Sequence, residues 1–154
     1  MRKFEPVSGM KNVQDRPKKP GSWISPVRVL VVEDFAPFRQ FIASALAKRS
    51  DLQIVGEVAD GEEAVQQAQE LQPDLILLDI GLPTLNGIAA AQRIRQVAPE
   101  SKIIFVTQES STDVVQKALN SGARGYVVKT KAATELLAAA EAVLEGKRFL
   151  SSGL

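Results

Sequence analysis

Two patterns of apolar residues alternate along the chain after residue 26. Short apolar runs rich in valine, isoleucine and leucine are typical of buried strands, and longer stretches with apolar residues at helical spacing separate them. The predicted strands cover residues 27–32, 53–59, 75–78, 102–107 and 125–129. The predicted helices include residues 38–46, 64–71, 88–97, 114–119 and 136–144. Breakers such as Pro73 and Gly122 lie between these elements, which supports their boundaries.

The regular alternation of strand and helix predicts a single α/β domain. Five strand-helix units with short connections imply a parallel sheet that is covered by helices on both faces. We expect a flavodoxin-like, doubly wound sheet of five strands in the order 2-1-3-4-5. In such sheets, ligands bind beyond the carboxyl ends of the strands, where the order reverses between strands 1 and 3. We assign this domain to residues 27–148.

The segments on either side of this domain lack a comparable pattern. Residues 1–26 hold six basic and two acidic residues, a net charge of +4, interrupted by Pro6, Pro17 and Pro20. A basic arm can contact nucleic acid or an acidic partner. The lack of apolar periodicity instead favours a flexible, solvated leader. Residues 149–154 are interpreted as a tail or as the start of a linker.

Composition narrows the available chemistry. The chain is 45% hydrophobic and 24% charged, as globular domains are, and its apolar runs are far shorter than the roughly 20 residues that span a bilayer. It has no cysteine and no histidine, which excludes disulfides, thiolate catalysis and zinc sites built on thiolates. The basic N-terminus has no apolar region behind it, so it is not a secretory signal. We therefore expect a cytoplasmic protein without a membrane partner.

Five polar residues lie where predicted strands end. Glu33 and Asp34 follow strand 1, Asp79 follows strand 3, Thr107 ends strand 4 and Lys129 ends strand 5. Each one alone is ordinary, because aspartate is common in loops after strands and lysine often ends a strand. Together, they bring three carboxylates to one edge of the sheet, where repulsion would raise their proton affinity unless a cation were present. Mg²⁺, which needs only one or two carboxylates, is the expected cofactor.

These residues belong to four segments: Val-Leu-Val-Val-Glu-Asp (29–34), Leu-Ile-Leu-Leu-Asp-Ile-Gly-Leu-Pro (75–83), Ile-Ile-Phe-Val-Thr (103–107) and Gly-Tyr-Val-Val-Lys (125–129). A fifth segment, Asn-Gly (86–87), follows the second of them. With this set, residues 27–148 resemble the receiver domain of bacterial two-component response regulators. The resemblance implies a signalling switch in which Asp79 accepts a phosphoryl group from a sensor histidine kinase. It also implies that Asp34, Asp79 and the backbone carbonyl of Gly81 hold Mg²⁺, with Glu33 contributing through water.

The resemblance implies roles for three further residues. Lys129 would pair with the acyl phosphate, and Thr107 would hydrogen-bond it when the switch is on. Tyr126 resembles the family's switch aromatic, which turns inward as Thr107 moves toward the phosphate; the alternative is an aromatic at the edge of the sheet. A metal ion, an ammonium and a hydroxyl can stabilise a transferring phosphoryl group without histidine or cysteine. The protein would be a phosphoacceptor that assists its own phosphorylation and hydrolysis, and not an enzyme.

The sequence departs from the family pattern after two of these residues. Thr130 follows Lys129, where most receivers have proline, often in a cis bond. A cis bond before a non-proline residue costs about 3 to 4 kcal/mol, so the sequence leaves the geometry of this bond open. Gln108 follows Thr107, where a small residue is usual, and we expect it to narrow the approach to Asp79. The alternatives are that its side chain swings into solvent or orients the hydrolytic water.

The end of the chain resembles the LuxR/NarL-type subgroup, which carries a C-terminal helix-turn-helix domain. The segments Lys-Thr-Lys (129–131) and Gly-Lys-Arg-Phe (146–149) carry this similarity. It implies transcription regulation, with DNA contacted only through an output domain that this sequence lacks. We also expect phosphorylation to promote a homodimer through the surface between the fourth and fifth helices.

Two other functions are alternatives. Haloacid-dehalogenase-like phosphatases also combine an aspartate nucleophile, Mg²⁺ and a parallel sheet. Their nucleophile usually belongs to an Asp-x-Asp pair, whereas Gly81 stands two residues after Asp79 here. A pseudo-receiver would keep the fold without phosphorylation. The complete acidic set, together with Thr107 and Lys129, argues against it.

Overall fold

A computed structural model describes residues 25–154, so the predicted leader lies outside the described residues except for Ser25 and Pro26. The described residues form six strands: β1 (Val27–Val32), β2 (Leu52–Val58), β3 (Leu75–Leu78), β4 (Lys102–Thr107), β5 (Gly125–Val128) and β6 (Phe149–Leu150). Strands β1, β3 and β4 have their predicted bounds. Strand β2 begins and ends one residue earlier than predicted, and β5 ends one residue earlier.

Helices alternate with the first five strands. They are α1 (Ala36–Leu46), α2 (Gly61–Leu71), α3 (Gly87–Val97), α4 (Thr112–Asn120) and α5 (Ala132–Leu144), and a 3-10 helix (Lys129–Lys131) joins β5 to α5. Asp60, Asn86 and Ser111 start α2, α3 and α4, because each side chain accepts a hydrogen bond from a backbone N–H in the first turn. Among the described residues, no helix is both long and apolar enough to cross a membrane.

All strand pairs are parallel, and the sheet has the order β2-β1-β3-β4-β5-β6. The predicted order 2-1-3-4-5 is confirmed for the first five strands. The predicted number of strands is corrected, because Phe149 and Leu150, assigned to a tail, pair with Gly125 and Tyr126 of β5. A strand of two residues is too short to show alternating apolar and polar positions, so the sequence pattern did not reveal it.

The helices cover both faces of the sheet and divide the core into two layers. Helices α1 and α5 pack against one set of strand residues, which includes Val29 and Leu77. Helices α2, α3 and α4 pack against the neighbouring set, which includes Leu30 and Ile76. Successive side chains of a strand point to opposite faces, so a sheet buried on both faces requires continuous apolar strands.

Gly87 fixes the loop that follows β3. Its backbone N–H donates a 2.8 Å hydrogen bond to the carbonyl of Ile80. A Cβ atom at this position would lie 2.0 Å from the carbonyl oxygen of Asp79, which no side chain could tolerate. The start of α3 therefore packs directly against the backbone of Asp79, and only glycine permits that approach.

Candidate functional site

The carboxyl ends of four strands meet at one edge of the sheet. The last residues of β1 and β3 are paired in register, so Glu33 and Asp79 follow neighbouring strands side by side. Thr107, the last residue of β4, pairs with the last residue of β5, directly before Lys129. The backbone N–H of Asp79 donates a 3.1 Å hydrogen bond to the carbonyl of Val32. The parallel register thus brings the predicted site residues together.

Asp79 is almost entirely buried, with 6% of its surface exposed. Its Oδ1 atom accepts a 2.7 Å hydrogen bond from the backbone N–H of Ile80, and its Oδ2 atom accepts one of 3.0 Å from Nζ of Lys129. These two contacts fix the orientation of the carboxylate. A carboxylate has about four lone-pair sites, so each oxygen can still accept a further partner.

Lys129 lies between two carboxylates. Its Nζ atom is 2.9 Å from Oε1 of Glu33 and 3.0 Å from Oδ2 of Asp79, and only 12% of its side chain is exposed. Burial alone would lower the pKa of Lys129. The neighbouring carboxylates of Glu33 and Asp79 outweigh burial and raise that pKa above its ordinary value. The ammonium beside Asp79 is therefore charged at neutral pH.

Glu33 is fully buried, and its two oxygens differ in their surroundings. Oε2 accepts a 3.0 Å hydrogen bond from the backbone N–H of Phe35. Oε1 is close to the Lys129 ammonium, but the contact lacks hydrogen-bond geometry and is an ion pair only. Burial raises the pKa of Glu33, and the contacts with Phe35 and Lys129 offset part of this rise. Buried polar atoms usually have a hydrogen-bond partner. Oε1 of Glu33 has none, so a metal ion or a water molecule beside it would stabilise this oxygen.

The carboxylates of this edge fit a magnesium ion. Glu33, Asp34 and Asp79 each offer one oxygen, and these three atoms lie within 4.8 Å of one another. Asp34 is exposed, which suits an ion that keeps several of its water ligands. Gly81, whose carbonyl is implicated by the family resemblance, lines the same cavity. A set of oxygen donors is typical of hard cations such as Mg²⁺.

An open cavity of about 310 Å³ leads to these groups. Every site residue predicted from the sequence lines it except Tyr126. Thr107 is 2% exposed, whereas the next residue, Gln108, is exposed and lies at the cavity wall with Glu109. Gln108 therefore has the location that a residue controlling access to Asp79 would need.

Tyr126 lies in the core, on the face covered by α2, α3 and α4. Its ring is fully buried with its centroid 6.3 Å from that of Phe105, and its hydroxyl donates a 2.7 Å hydrogen bond to the carbonyl of Glu109. Burial, reinforced by the charges of Glu109 and Asp79, raises the pKa of Tyr126 from 10.0 to about 12. Because β6 extends the sheet beyond β5, the alternative of an edge aromatic does not hold.

Two contacts of the site were not predicted. Nζ of Lys129 lies 4.8 Å from the centroid of the Phe38 ring, and the backbone N–H of Val128 donates a 2.9 Å hydrogen bond to Oγ of Ser151. The sequence pattern assigned Phe38 to a helix face and Ser151 to a tail, and neither carried a signal for the site. Residues 25–154 contain no cis peptide bond, so the bond between Lys129 and Thr130 is trans.

Comparisons with known proteins agree with this fold. The family described as response regulator receiver domain matches residues 29–141. Response regulator protein VraR of Staphylococcus saprophyticus is 35% identical over 111 residues, which cover 72% of this chain and 53% of that protein. Response regulator GacA of Pseudomonas viridiflava is 34% identical over 125 residues, which cover 81% of this chain and 58% of that protein. The chain thus spans little more than half the length of these curated relatives.

A solved structure gives the same result. The crystal structure of a two-component response regulator of the LuxR family from Aurantimonas sp. SI85-9A1 superimposes with a TM-score of 0.79 at 34% sequence identity. The similarity covers 83% of this chain and 91% of that chain. The fold, the positions of the carboxylates and the sequence similarity all lead to the same conclusion. This chain belongs to the receiver domains of two-component response regulators, and it is a receiver domain of the LuxR/NarL type.

Proposed function

We propose that this protein is a phosphorylation switch in which Asp79 accepts a phosphoryl group. The observation that carries the proposal is the position of Asp79, buried at the end of β3 with the Lys129 ammonium 3.0 Å away and an open cavity in front of it. A carboxylate is a competent nucleophile for phosphoryl transfer when positive charge lies beside the transferring group.

The proposed donor is a phosphohistidine of a sensor histidine kinase. One oxygen of Asp79 forms the new bond to phosphorus while the bond between phosphorus and the donor nitrogen breaks, and the released imidazole takes up a proton from water. The ammonium of Lys129 neutralises charge on the phosphoryl oxygens. The hydroxyl of Thr107, which lines the same cavity, donates a hydrogen bond to one of them after transfer.

Asp34, Asp79 and the carbonyl of Gly81 would hold Mg²⁺, with Glu33 contributing through a water molecule. The bound ion would neutralise negative charge on the transferring group. Asp34→Ala should abolish magnesium binding in a calorimetric titration. Asp113→Ala, which removes an exposed carboxylate from the first turn of α4, should leave it unchanged. Equal binding by both variants would reject this metal site.

The protein is proposed to act as a phosphoacceptor that assists its own phosphorylation and hydrolysis, and not as a phosphatase of external esters. Gly81 stands where dehalogenase-like phosphatases have their second aspartate.

The curated relatives are considerably longer than the matched region. We therefore assign the output, transcription regulation through a DNA-binding domain, to a region outside residues 27–148, and we propose that phosphorylation promotes self-association through the surface between α4 and α5.

Incubation with acetyl phosphate and Mg²⁺, followed by intact mass spectrometry, tests the proposal. The parent protein and the control Asp113→Asn should each gain one phosphoryl group, and Asp79→Asn should gain none. Full incorporation by Asp79→Asn would reject Asp79 as the acceptor. A parent protein that takes up no phosphate at saturating Mg²⁺ would instead be a pseudo-receiver.

A further inference from the structure

The Lys129 ammonium has an aromatic neighbour in addition to the carboxylates of Glu33 and Asp79. Its Nζ atom lies over the ring of Phe38, 4.8 Å from the ring centroid. This distance is within the roughly 6 Å over which a cation is attracted to the negative face of an aromatic ring. Because the lysine side chain is only 12% exposed, little water screens the contact.

Phe38 has support that does not depend on Lys129. Its ring stacks on that of Phe41, with centroids 5.3 Å apart and planes inclined by 29°. Both rings belong to α1 and pack against the core layer between the sheet and helices α1 and α5. Phe38 therefore offers the ammonium a ring face whose position is set by the fold.

We propose that Phe38 is a positioning residue that holds Lys129 at Asp79. This inference rests on the proposed function, in which Asp79 becomes phosphorylated and Glu33 and Asp79 both approach a metal ion. Both anionic neighbours of Lys129 would then change their charge or their partners during the reaction. The neutral ring of Phe38 does not change, so it keeps the ammonium in reach of the phosphoryl group before and after transfer.

A purely structural role for Phe38 makes a different prediction. If the ring only fills space beneath α1, then its shape matters and its electron density does not. Fluorine atoms on the ring withdraw electron density from its face and weaken the attraction for a cation, while the ring keeps its approximate shape. A series of phenylalanines with one, two and three fluorines therefore separates the two roles.

The first measurement tests the contact without any phosphorylation. In the parent protein, the ring current of Phe38 should displace the NMR signals of the Lys129 side-chain methylene next to Nζ from their positions in an exposed lysine. Phe38→Leu should abolish this displacement, and Phe38→Tyr should keep it. Signals that are unchanged by Phe38→Leu would overturn the proposal. This result stands even if the parent protein is not phosphorylated, an outcome that would overturn the proposed function separately.

The second measurement is the rate of phosphorylation by acetyl phosphate at fixed Mg²⁺. Increasing fluorination at position 38 should lower the rate progressively, by about three- to tenfold in total, which is the effect expected for losing a largely buried cation–π contact. The same series at Phe41, the matched ring on the same helix, should change the rate by less than about twofold. A flat series at position 38, or an equal decline at both positions, would show that Phe38 does not position Lys129.

Discussion

The hydroxyl of Tyr126 donates a hydrogen bond of 2.7 Å to the backbone carbonyl of Glu109. Glu109 lies two residues after Thr107, in the segment between β4 and α4 that lines the cavity at Asp79. A movement of Thr107 toward a phosphoryl group would displace the partner of the Tyr126 hydroxyl. The switch role that the family resemblance implies for Tyr126 thus has a direct physical connection to the site.

The alkaline titration of Tyr126 can be measured without interference, because the chain contains one tyrosine. Its pKa is raised from 10.0 to about 12, chiefly by burial, so tyrosinate absorbance should appear near pH 12 in the folded protein and near pH 10 after denaturation. Because its pKa is raised in the folded state, the protonated phenol of Tyr126 contributes to the free energy of unfolding. This contribution is fully present below pH 10.0 and is lost as the pH rises through about 12. A folded-state midpoint near 10 would show that the phenol is not buried in solution.

Gln108→Ala should accelerate both phosphorylation by acetyl phosphate and loss of the phosphoryl group. Gln108 is exposed at the wall of the cavity that leads to Asp79, where its side chain can obstruct both the donor and the hydrolytic water. Approach geometry matters strongly, since a misplacement of about 1 Å can change a rate on the order of a hundredfold. Gln116→Ala, which removes an exposed amide from α4, is the control. Equal rates in Gln108→Ala and the parent would exclude a gating role.

Gly87→Ala should destabilise the protein by about 3 kcal/mol or more, because the new methyl group would collide with the carbonyl oxygen of Asp79. Gly81→Ala is a matched control in the same loop. A Cβ atom at position 81 has no neighbour within 4 Å, so its effect should stay within about 0.5 kcal/mol. Urea denaturation of both variants measures the difference. Similar stabilities would contradict the close packing of α3 against Asp79.

Ser151 links the C-terminal segment to the end of β5. It is 2% exposed, and its Oγ atom accepts a hydrogen bond from the N–H of Val128 and donates one of 2.5 Å to Glu135. Ser151→Ala should reduce the free energy of unfolding by about 1–3 kcal/mol, since the Val128 N–H loses its partner, and should accelerate amide hydrogen exchange at Val128. Ser152→Ala, at an exposed position, should have a smaller effect. Equal losses in the two variants would exclude a specific role for Ser151.

The positions of the polar site residues could be predicted because each follows an apolar run. Such runs identify buried strands, and the carboxyl ends of parallel strands share one edge of the sheet, so Glu33, Asp79 and Lys129 had to lie near one another. The two-residue period of strand side chains also accounts for the two core layers. These features depend only on local sequence and on general rules of α/β topology.

The contacts between these residues could not be predicted, because they depend on the placement of side chains from distant segments. The ion pair between Glu33 and Lys129 joins the ends of β1 and β5. Phe38 has the apolar spacing of any core-facing helix residue, and nothing in that spacing indicates that a lysine ammonium lies over its ring. Strand β6 pairs through its backbone, which leaves almost no signature in its side chains.

Chemical mapping of the phosphorylated residue would identify the phosphoacceptor directly. After incubation with acetyl phosphate and Mg²⁺, reduction with borohydride converts an acyl phosphate of aspartate to homoserine, and peptide mass spectrometry locates the product. This conversion should occur at Asp79 alone and should require both the phosphodonor and Mg²⁺. Homoserine at another aspartate, such as Asp34, or no homoserine in protein that has taken up a phosphoryl group, would contradict the assignment of Asp79.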